Sequence, residues 1–324
     1  MTTIASTAPV KARKFRFSTT TTLLIAYVAM CIIFALLTPY FLTVKNFENI
    51  ARTLGVVGVV AIGETLVLIA GGVDISVGAV AAMSGVVAGI LWGTQALPIW
   101  ACAAGGLLSG MLVGLANGAI TTRLRINPLI TTLAMFSIVR GLSFALTNGQ
   151  MNQLNNRSFQ LLGRGDIAGV PFSLLLMAAL YVIFYFILRW TGFGRNLYAV
   201  GGNPTAGRLA GIPVNRYLLA VYTLCGLLAA LGGLILASQL AAGTPQAATG
   251  LEFRVIAAVI LGGTSLSGGK GSLIGTLLGV IILRTLDNGL ILVNVSSYWQ
   301  EVAGGAVLLL AVGLDQLRMR LGRR

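Results

Sequence analysis

The sequence of 324 residues contains no histidine, and it carries only eight acidic side chains against 22 basic ones. Charged residues make up 9 % of the chain, whereas soluble domains carry about 25 % because a surface in water needs them. A soluble globular enzyme is therefore not expected, and the missing histidine excludes imidazole-based acid–base, nucleophilic or metal chemistry. Hydrophobic residues make up 56 % of the chain, which excludes a disordered protein. The composition predicts a membrane protein.

Cysteine is also scarce, and its positions show no paired spacing. Cys31, Cys102 and Cys225 each lie alone in an apolar run, which argues against a disulfide framework and against a zinc site. We expect these three residues to be small buried hydrophobes. No metal-binding residues are predicted.

Apolar runs of about 20 residues, long enough to cross a membrane, recur along the chain. About ten are found, and together they predict an all-α, polytopic fold. The shortest run, 252–263, is expected to be tilted, broken or re-entrant, and a re-entrant piece is also open within 54–93. The ten runs are 21–41, 54–71, 75–93, 97–120, 128–147, 170–189, 216–238, 252–263, 272–293 and 298–316.

The distribution of lysine and arginine orients these helices, because cytoplasmic segments carry the excess of positive charge. With the N-terminus inside and ten spans, 15 basic residues fall on inner segments and five on outer ones. This predicts a cytoplasmic basic tail at 1–20, a single transmembrane domain at 21–316 and a second cytoplasmic basic tail at 317–324. The net charge of +14 then reflects topology and contact with anionic lipid, and no nucleic-acid partner is expected.

Glycine, in contrast, is abundant, with 42 residues, and part of it is periodic. Gly106, Gly110, Gly114 and Gly118 form one stripe down the fourth run, an arrangement that lets membrane helices approach closely. The stripe indicates a compact bundle. Plain structural packing and a sliding surface of a transporter are both open interpretations.

Two glycine-rich segments interrupt the apolar runs on the predicted inner side. Residues 71–78 and 262–269 both read Gly-Gly-x-x-(Ile or Leu)-Ser-x-Gly when Gly71 is aligned with Gly262. Paired interruptions of this kind point to the pathway of repeat-built transporters, although two unrelated glycine turns would look the same. The second segment also resembles a phosphate-binding loop as far as Lys270. Because the next residue is glycine rather than serine or threonine, ATP binding by this chain is not predicted.

Ionisable side chains inside apolar runs are costly and are functional candidates by default. Glu64 lies within the second run and Asp74 follows the first glycine pair, so a role in the solute path and a role in helix anchoring are both open. Two carboxylates would also suit a proton or sodium coupling site. Arg284 and Asp287 are three residues apart, hence on one helical face, and are expected to neutralise each other. The residues predicted to line the path are Glu64, Asp74, Ser76 and Asn117.

The longest hydrophilic inner segment, 190–215, contains its own helix signal. Asn203 followed by Pro204 is a favourable helix start, and a short helix is expected to end at Gly211. A short cytoplasmic helix would suit docking of a soluble partner. A solvated connector is the alternative.

These segments together resemble the permease subunits of bacterial ATP-binding-cassette importers for monosaccharides of the ribose, xylose and arabinose type. The resemblance extends over nearly the whole chain after residue 20. It is carried by residues 71–78, 124–128, 131–133, 140–141, 147–149, 193–204 and 262–271. The Arg284 and Asp287 pair departs from the more neutral stretch that such permeases would show there.

The resemblance implies the partners and their contact sites. Two permease copies, identical or related, would form the path, a separate ATPase would bind ATP and magnesium at the cytoplasmic face, and a periplasmic binding protein would deliver the sugar. This chain would bind no cofactor itself and would lie in the bacterial inner membrane. For coupling to the ATPase, the matching residues are Gly194, Arg195, Asn203, Pro204, Arg208 and Gly211. For contact with the binding protein, the candidates in the outer loop 148–169 are Arg157, Arg164 and Asp166.

The predicted function is transport without chemistry on the solute. The chain is expected to be the permease subunit of an importer that moves a monosaccharide or small polyol into the cytoplasm by alternating access. An ion-coupled secondary transporter of a small solute is the alternative, and it would need no ATPase. A membrane-embedded enzyme is not expected, because the sequence offers no nucleophile–base set. Pentoses, hexoses, deoxysugars, polyols and sugar-like signal molecules all remain open as the solute.

Overall fold

The computed structural model describes residues 19–95 and 97–322, and in that part of the chain it contains thirteen α-helices. They are α1 (Thr19–Leu37), α2 (Val44–Ile69), α3 (Val77–Gln95), α4 (Ile99–Ala119), α5 (Pro128–Thr147), α6 (Arg157–Arg164), α7 (Phe172–Trp190), α8 (Gly192–Gly202), α9 (Pro204–Leu209), α10 (Val214–Leu240), α11 (Leu251–Leu261), α12 (Leu273–Leu292) and α13 (Ser297–Gly322). A π-helical turn, Ile120–Leu124, continues α4.

Four very short strands tie the connecting loops together. Strand β1 (Asn152–Gln153) pairs antiparallel with β4 (Ala242–Gly243), so that the segment after α5 is joined to the segment after α10. Strand β2 (Asp166–Ile167) pairs antiparallel with β3 (Val170–Pro171) as a small hairpin before α7.

Each of the ten predicted apolar runs coincides with a helix, and the chain is an all-α, polytopic protein. Six helices in the described part of the chain are long and apolar enough to cross a membrane by length and composition. They are Val44–Ile69, Ile99–Leu124, Pro128–Thr147, Phe172–Trp190, Val214–Leu240 and Leu273–Leu292. Two shorter apolar helices lie at Thr21–Leu37 and Val77–Gly93.

The predicted tails lie mostly at the edges of the described residues. Of the N-terminal tail 1–20, residues 1–18 lie outside them. The C-terminal tail 317–324 is described as far as residue 322, where α13 ends, so the last helix extends beyond the predicted boundary at 316.

Helix α2 forms the centre of the core and begins ten residues earlier than the apolar run 54–71 predicts. Its first three turns are polar, so hydropathy alone does not mark them. Thr43 caps the helix by accepting a hydrogen bond from the backbone N–H of Asn46. The side chain of Asn46 is buried and donates to the carbonyl oxygen of Phe41 at 2.9 Å.

The glycine stripe of α4 packs against α10, which confirms the predicted close approach of helices. A Cβ atom on Gly110 would lie 2.5 Å from the carbonyl oxygen of Gly226, and one on Gly118 would lie 2.9 Å from the Cα of Leu219. Such distances leave no room for a side chain. The two helices therefore meet backbone to backbone, which only glycine allows.

The two glycine-rich segments form the same helix-ending turn, in a register that differs by one residue from the sequence alignment. After α2, Gly71 has a φ of +85° and the next N–H donates to the carbonyl oxygen of Val67 at 2.9 Å. After α11, Gly263 has a φ of +93° and the next N–H donates to the carbonyl oxygen of Val259 at 3.2 Å. Gly71 thus corresponds to Gly263 rather than to Gly262, because only a residue free to adopt positive φ can close this turn.

Candidate functional site

Helices α8 and α9 form one polar, surface-exposed segment, residues 192–211, which is here named the coupling segment. Thr191 begins α8 by accepting a hydrogen bond from the N–H of Gly194. The side chain of Asn203 begins α9 by accepting from the N–H groups of Thr205 at 3.1 Å and Ala206 at 3.0 Å. Gly211, with a φ of +79°, follows its end. The sequence thus predicted α9 correctly, but it gave no sign of α8.

Most of the predicted coupling residues lie on the outside of this segment. Arg195, Asn203, Pro204, Arg208 and Gly211 are all exposed. They leave a polar surface with two guanidinium groups, which a soluble partner with complementary charge can contact.

Gly194 is the exception among the predicted coupling residues, because it is buried. A Cβ atom at this position would overlap the carbonyl oxygen of Leu188 in α7. Gly194 therefore lets α8 fold back tightly on the end of α7, and it presents no surface to a partner.

Leu209 is a residue of this surface that the sequence analysis missed. Its side chain is 86 % exposed at the end of α9, directly beside Arg208. A single exposed apolar side chain is common on protein surfaces, and Leu209 is a candidate contact because it extends the exposed surface of the predicted coupling residues. The sequence shows two leucines in the 190–215 segment, Leu197 and Leu209, and only the structure shows that Leu197 is buried and Leu209 is exposed.

The inner side of α8 is joined to the two glycine turns by backbone contacts. A Cβ atom on Gly201 would overlap the carbonyl oxygen of Ile69, and it would lie 2.7 Å from the backbone nitrogen of Gly269. The same Ile69 oxygen accepts a hydrogen bond from the N–H of Gly269 at 2.9 Å. The hydroxyl of Tyr198 donates to the carbonyl oxygen of Gly271 at 2.9 Å. A displacement of α8 must therefore move the end of α2 and the loop between α11 and α12.

A cavity of about 450 Å³ lies beside the coupling segment, between α7, α8 and the start of α12. It is lined by Tyr185, Leu188, Arg189, Arg195, Tyr198 and residues 271–274. The cavity therefore lies beside the loop that the hydroxyl of Tyr198 contacts at Gly271.

The four residues predicted to line the path meet in one cluster, but the cluster is enclosed. Glu64, Asp74, Ser76 and Asn117 are each at most 1 % exposed. The N–H of Asp74 donates to Oε1 of Glu64 at 3.2 Å. The hydroxyl of Ser76 donates to Oδ1 of Asp74 at 2.6 Å. Nδ2 of Asn117 donates to the Ser76 oxygen at 2.9 Å. In this conformation the cluster ties α2, α3 and α4 together inside one subunit.

We expect Asn117→Ala to destabilise the subunit, because it removes a buried donor from this cluster. Leaving a buried polar group without its partner costs about 1–3 kcal/mol. The measurement is thermal unfolding of the purified protein in detergent, with Asn215→Ala at an exposed position as the matched control. Equal melting temperatures for the two variants would contradict a structural role for the cluster.

At the opposite end of the bundle, the segment before α7 is anchored by charge. Oδ2 of Asp166 forms a 2.7 Å ion pair with Arg52 of α2. Nε of Arg164 donates to the carbonyl oxygen of Gln239 in α10 at 2.8 Å. Both side chains remain exposed, as does Arg157 on α6. The three predicted contact residues thus share one exposed face, where two of them also hold the loop in place.

The predicted pair of Arg284 and Asp287 forms, and a third residue joins it. The two side chains make an ion pair within α12, as their spacing predicts. Arg254 from the first turn of α11 approaches the same carboxylate at 3.4 Å. The three charges connect α11 with α12, which the sequence could not indicate.

Comparisons with known proteins identify this arrangement with a type of transport subunit. Residues 46–312 match a family described as "Branched-chain amino acid transport system / permease component". The chain is 41 % identical to the ribose import permease protein RbsC of Escherichia coli K12 over 296 residues, which is 90 % of this chain and 92 % of that protein. It is 39 % identical to the L-arabinose ABC transporter permease protein AraH of Azospirillum brasilense over 316 residues, 97 % of this chain and 93 % of that protein.

Proposed function

The chain belongs to the family of permease components of branched-chain amino acid type transport systems, and on this basis we propose that it is the membrane-spanning permease subunit of an ABC importer for a monosaccharide. It is a transport subunit rather than an enzyme, and a multi-pass protein of the inner membrane. The family description identifies the kind of subunit. The solute class is taken from the relatives, which are named for ribose and L-arabinose.

This proposal rests mainly on one observation: the coupling segment is exposed on its outer side and packs on its inner side against the two glycine-rich segments. An importer permease needs a surface to which a separate ATPase can bind. It also needs a rigid connection from that surface to the membrane helices. The contacts of Gly201 with Ile69 and Gly269 provide such a connection. We infer that ATP and magnesium act on the partner ATPase, and that this chain itself binds no cofactor.

The proposed topology has ten spans with both termini in the cytoplasm. The coupling segment and the two glycine turns share one end of the bundle, as the contact of Gly201 with Ile69 shows. The pair of β1 with β4 and the ion pair of Arg52 with Asp166 share the other. Alternating α1–α5, α7, α10, residues 244–261 with α11, α12 and α13 between these ends uses ten crossings, and this is the threading that gives the threefold excess of basic residues on the inner side.

On the basis of this assignment we propose two further partners. A periplasmic binding protein would meet the outer face that carries Arg157, Arg164 and Asp166. A second permease copy, identical or related, would complete the path between two subunits. The enclosed cluster around Asp74 would line that path only if α2 and α3 separate during the transport cycle.

The experiment is an ATPase assay on the complex in reconstituted membranes. The chain is co-expressed with the ATPase encoded beside it and challenged with the sugar-loaded binding protein, with D-ribose and L-arabinose as the first sugars. We expect stimulated ATP hydrolysis and sugar uptake that both require the ATPase. Uptake that persists without the ATPase and collapses with the proton gradient would instead establish an ion-coupled secondary transporter.

A further inference from the structure

Helix α11 reaches only about half-way through the membrane. Its 11 residues rise about 16 Å at 1.5 Å per residue, against a hydrocarbon core of about 30 Å. Its C-terminal end is fixed at the start of α12, since a Cβ atom on Gly275 would overlap the carbonyl oxygen of Gly262. The first residue of α11, Leu251, therefore lies near the middle of the membrane.

The seven residues before α11, 244–250, are non-helical backbone at membrane depth. Ala248 and Gly250 have φ values of +56° and +75°. Arg140 of α5 donates to the carbonyl oxygens of Pro245 and Ala247 at 2.6 and 2.8 Å. Irregular backbone inside a membrane occurs only where protein buries it or where it lines a water-filled cavity. Ionisable residues inside a membrane are rare and usually functional. The use of Arg140 to stabilise this non-helical conformation indicates that the conformation is important for function.

Residues 244–250 interrupt the helical structure before α11 and are here named the break. Two cavities flank the break, and Thr249 and Arg254 line both of them. The smaller, of about 200 Å³, lies between α2, α10, α11 and α12. The larger, of about 560 Å³, lies between α5, α11 and α13. The larger cavity is lined by Phe136, Thr249, Gly250, Glu252, Phe253, Arg254, Glu301, Gly304, Gly305 and Leu308.

Glu252 contributes to the wall of the larger cavity. The residue is 2 % exposed, and its Oε2 has no hydrogen-bond partner within the described part of the chain. It lies between the cavity and Gly78 at the start of α3. This oxygen packs against Gly78 and is enclosed in this conformation, so a ligand in the cavity reaches it only when the surrounding helices move.

We propose that the larger cavity between α5, α11 and α13 is a transient binding site for an uncharged, polyhydroxylated solute of monosaccharide size during its passage. This inference rests on the proposed function and adds the place where the solute is contacted. The rings of Phe136 and Phe253 offer apolar faces to the C–H side of a sugar ring. Carboxylates and a guanidinium offer acceptors and donors to its hydroxyl groups. A few polar groups in a mostly apolar pocket are typical of small-molecule sites.

The charges around the break balance, which favours a neutral solute over a sugar acid. Three cationic and three anionic side chains surround it. They are Arg140, Arg254 and Arg284 with Glu252, Asp287 and Glu301. An anionic or cationic solute would bring a further charge to membrane depth, which is costly.

Phe253→Ala tests the site by sugar uptake in the reconstituted complex, with Phe186→Ala as the matched control. The two rings are 52 % and 55 % exposed, but Phe186 lies on α7, away from the cavity. We expect Phe253→Ala to lower uptake of the stimulating sugar at least tenfold, and Phe186→Ala to retain uptake of the unmodified complex. Equal uptake by the two variants would overturn the proposed site.

A labelling experiment tests the cavity without depending on transport. Thr249→Cys, in a Cys31→Ser background, is treated with a membrane-impermeant thiol reagent, and Ile183→Cys on α7 serves as the control at an exposed apolar position. We expect fast reaction at position 249, slowed by millimolar D-ribose or L-arabinose, and none at position 183. Absence of reaction at position 249 would refute the site even if the ATPase assay succeeds. Failure of the ATPase assay with intact labelling would refute the importer assignment alone.

Discussion

Gly201→Ala is expected to abolish stimulation of the ATPase, whereas Gly202→Ala one residue later is expected to preserve it. A Cβ atom at position 201 would overlap the carbonyl oxygen of Ile69, while one at position 202 would lie 4.0 Å from the Cα of Gly269. The overlap involves backbone atoms, which cannot rotate away as a side chain can. In Gly201→Ala the backbone of α8 must therefore move away from the backbone of Ile69. The coupling segment then loses its contact with the two glycine-rich segments.

The measurement is sugar-stimulated ATP hydrolysis in proteoliposomes, with the amount of assembled complex as the reference. We expect at least a tenfold loss for Gly201→Ala and less than a twofold change for Gly202→Ala. Retained binding of the ATPase together with lost stimulation would show that Gly201 transmits movement rather than forming the docking surface. Full stimulation by Gly201→Ala would contradict the rigid connection.

Leu209→Asp is expected to release the ATPase from the permease. Burying a leucine side chain contributes about 1.5–3 kcal/mol, which corresponds to roughly a tenfold to hundredfold change in affinity. An aspartate at the same place would add the cost of burying a charge. Since Leu209 is 86 % exposed in the isolated subunit, its replacement should leave the fold of the permease unchanged.

The matched control is Leu124→Asp, because Leu124 is also exposed, at 66 %, and follows α4 at the same end of the bundle. Co-purification of the ATPase and its affinity for the permease in nanodiscs are the readouts. Loss of binding in Leu209→Asp with binding kept in Leu124→Asp is the expected result. Equal binding of the ATPase by both variants would show that α9 is not part of the interface.

Local signals in the sequence predicted a large part of this architecture. The ten apolar runs each coincide with a helix, because residues that avoid water determine where helices can cross a membrane. The start and end of α9 followed from Asn203, Pro204 and Gly211, since capping depends on neighbours in the chain. The ion pair of Arg284 with Asp287 followed from helical spacing alone.

Other features had no local signal. Helix α8 lacks an apolar run, and its stability comes from packing on α7 and on the two glycine turns. Gly194 was predicted as a coupling residue, and its close approach to Leu188 in α7 could not be read from the sequence. The role of Arg140 could not be read from its own segment, because its acceptors lie more than a hundred residues away at Pro245 and Ala247.

The sequence by itself determined that this is a polytopic membrane protein, where its ten apolar helices lie, and which family it resembles. These properties depend on composition, periodicity and short motifs, all of which act over neighbouring residues. Only the tertiary structure decided that the cluster around Asp74 is enclosed, that Leu209 points outward, and that α11 begins beside a cavity. Those outcomes depend on contacts between distant segments, and the free energy of such contacts exists only once the helices have packed.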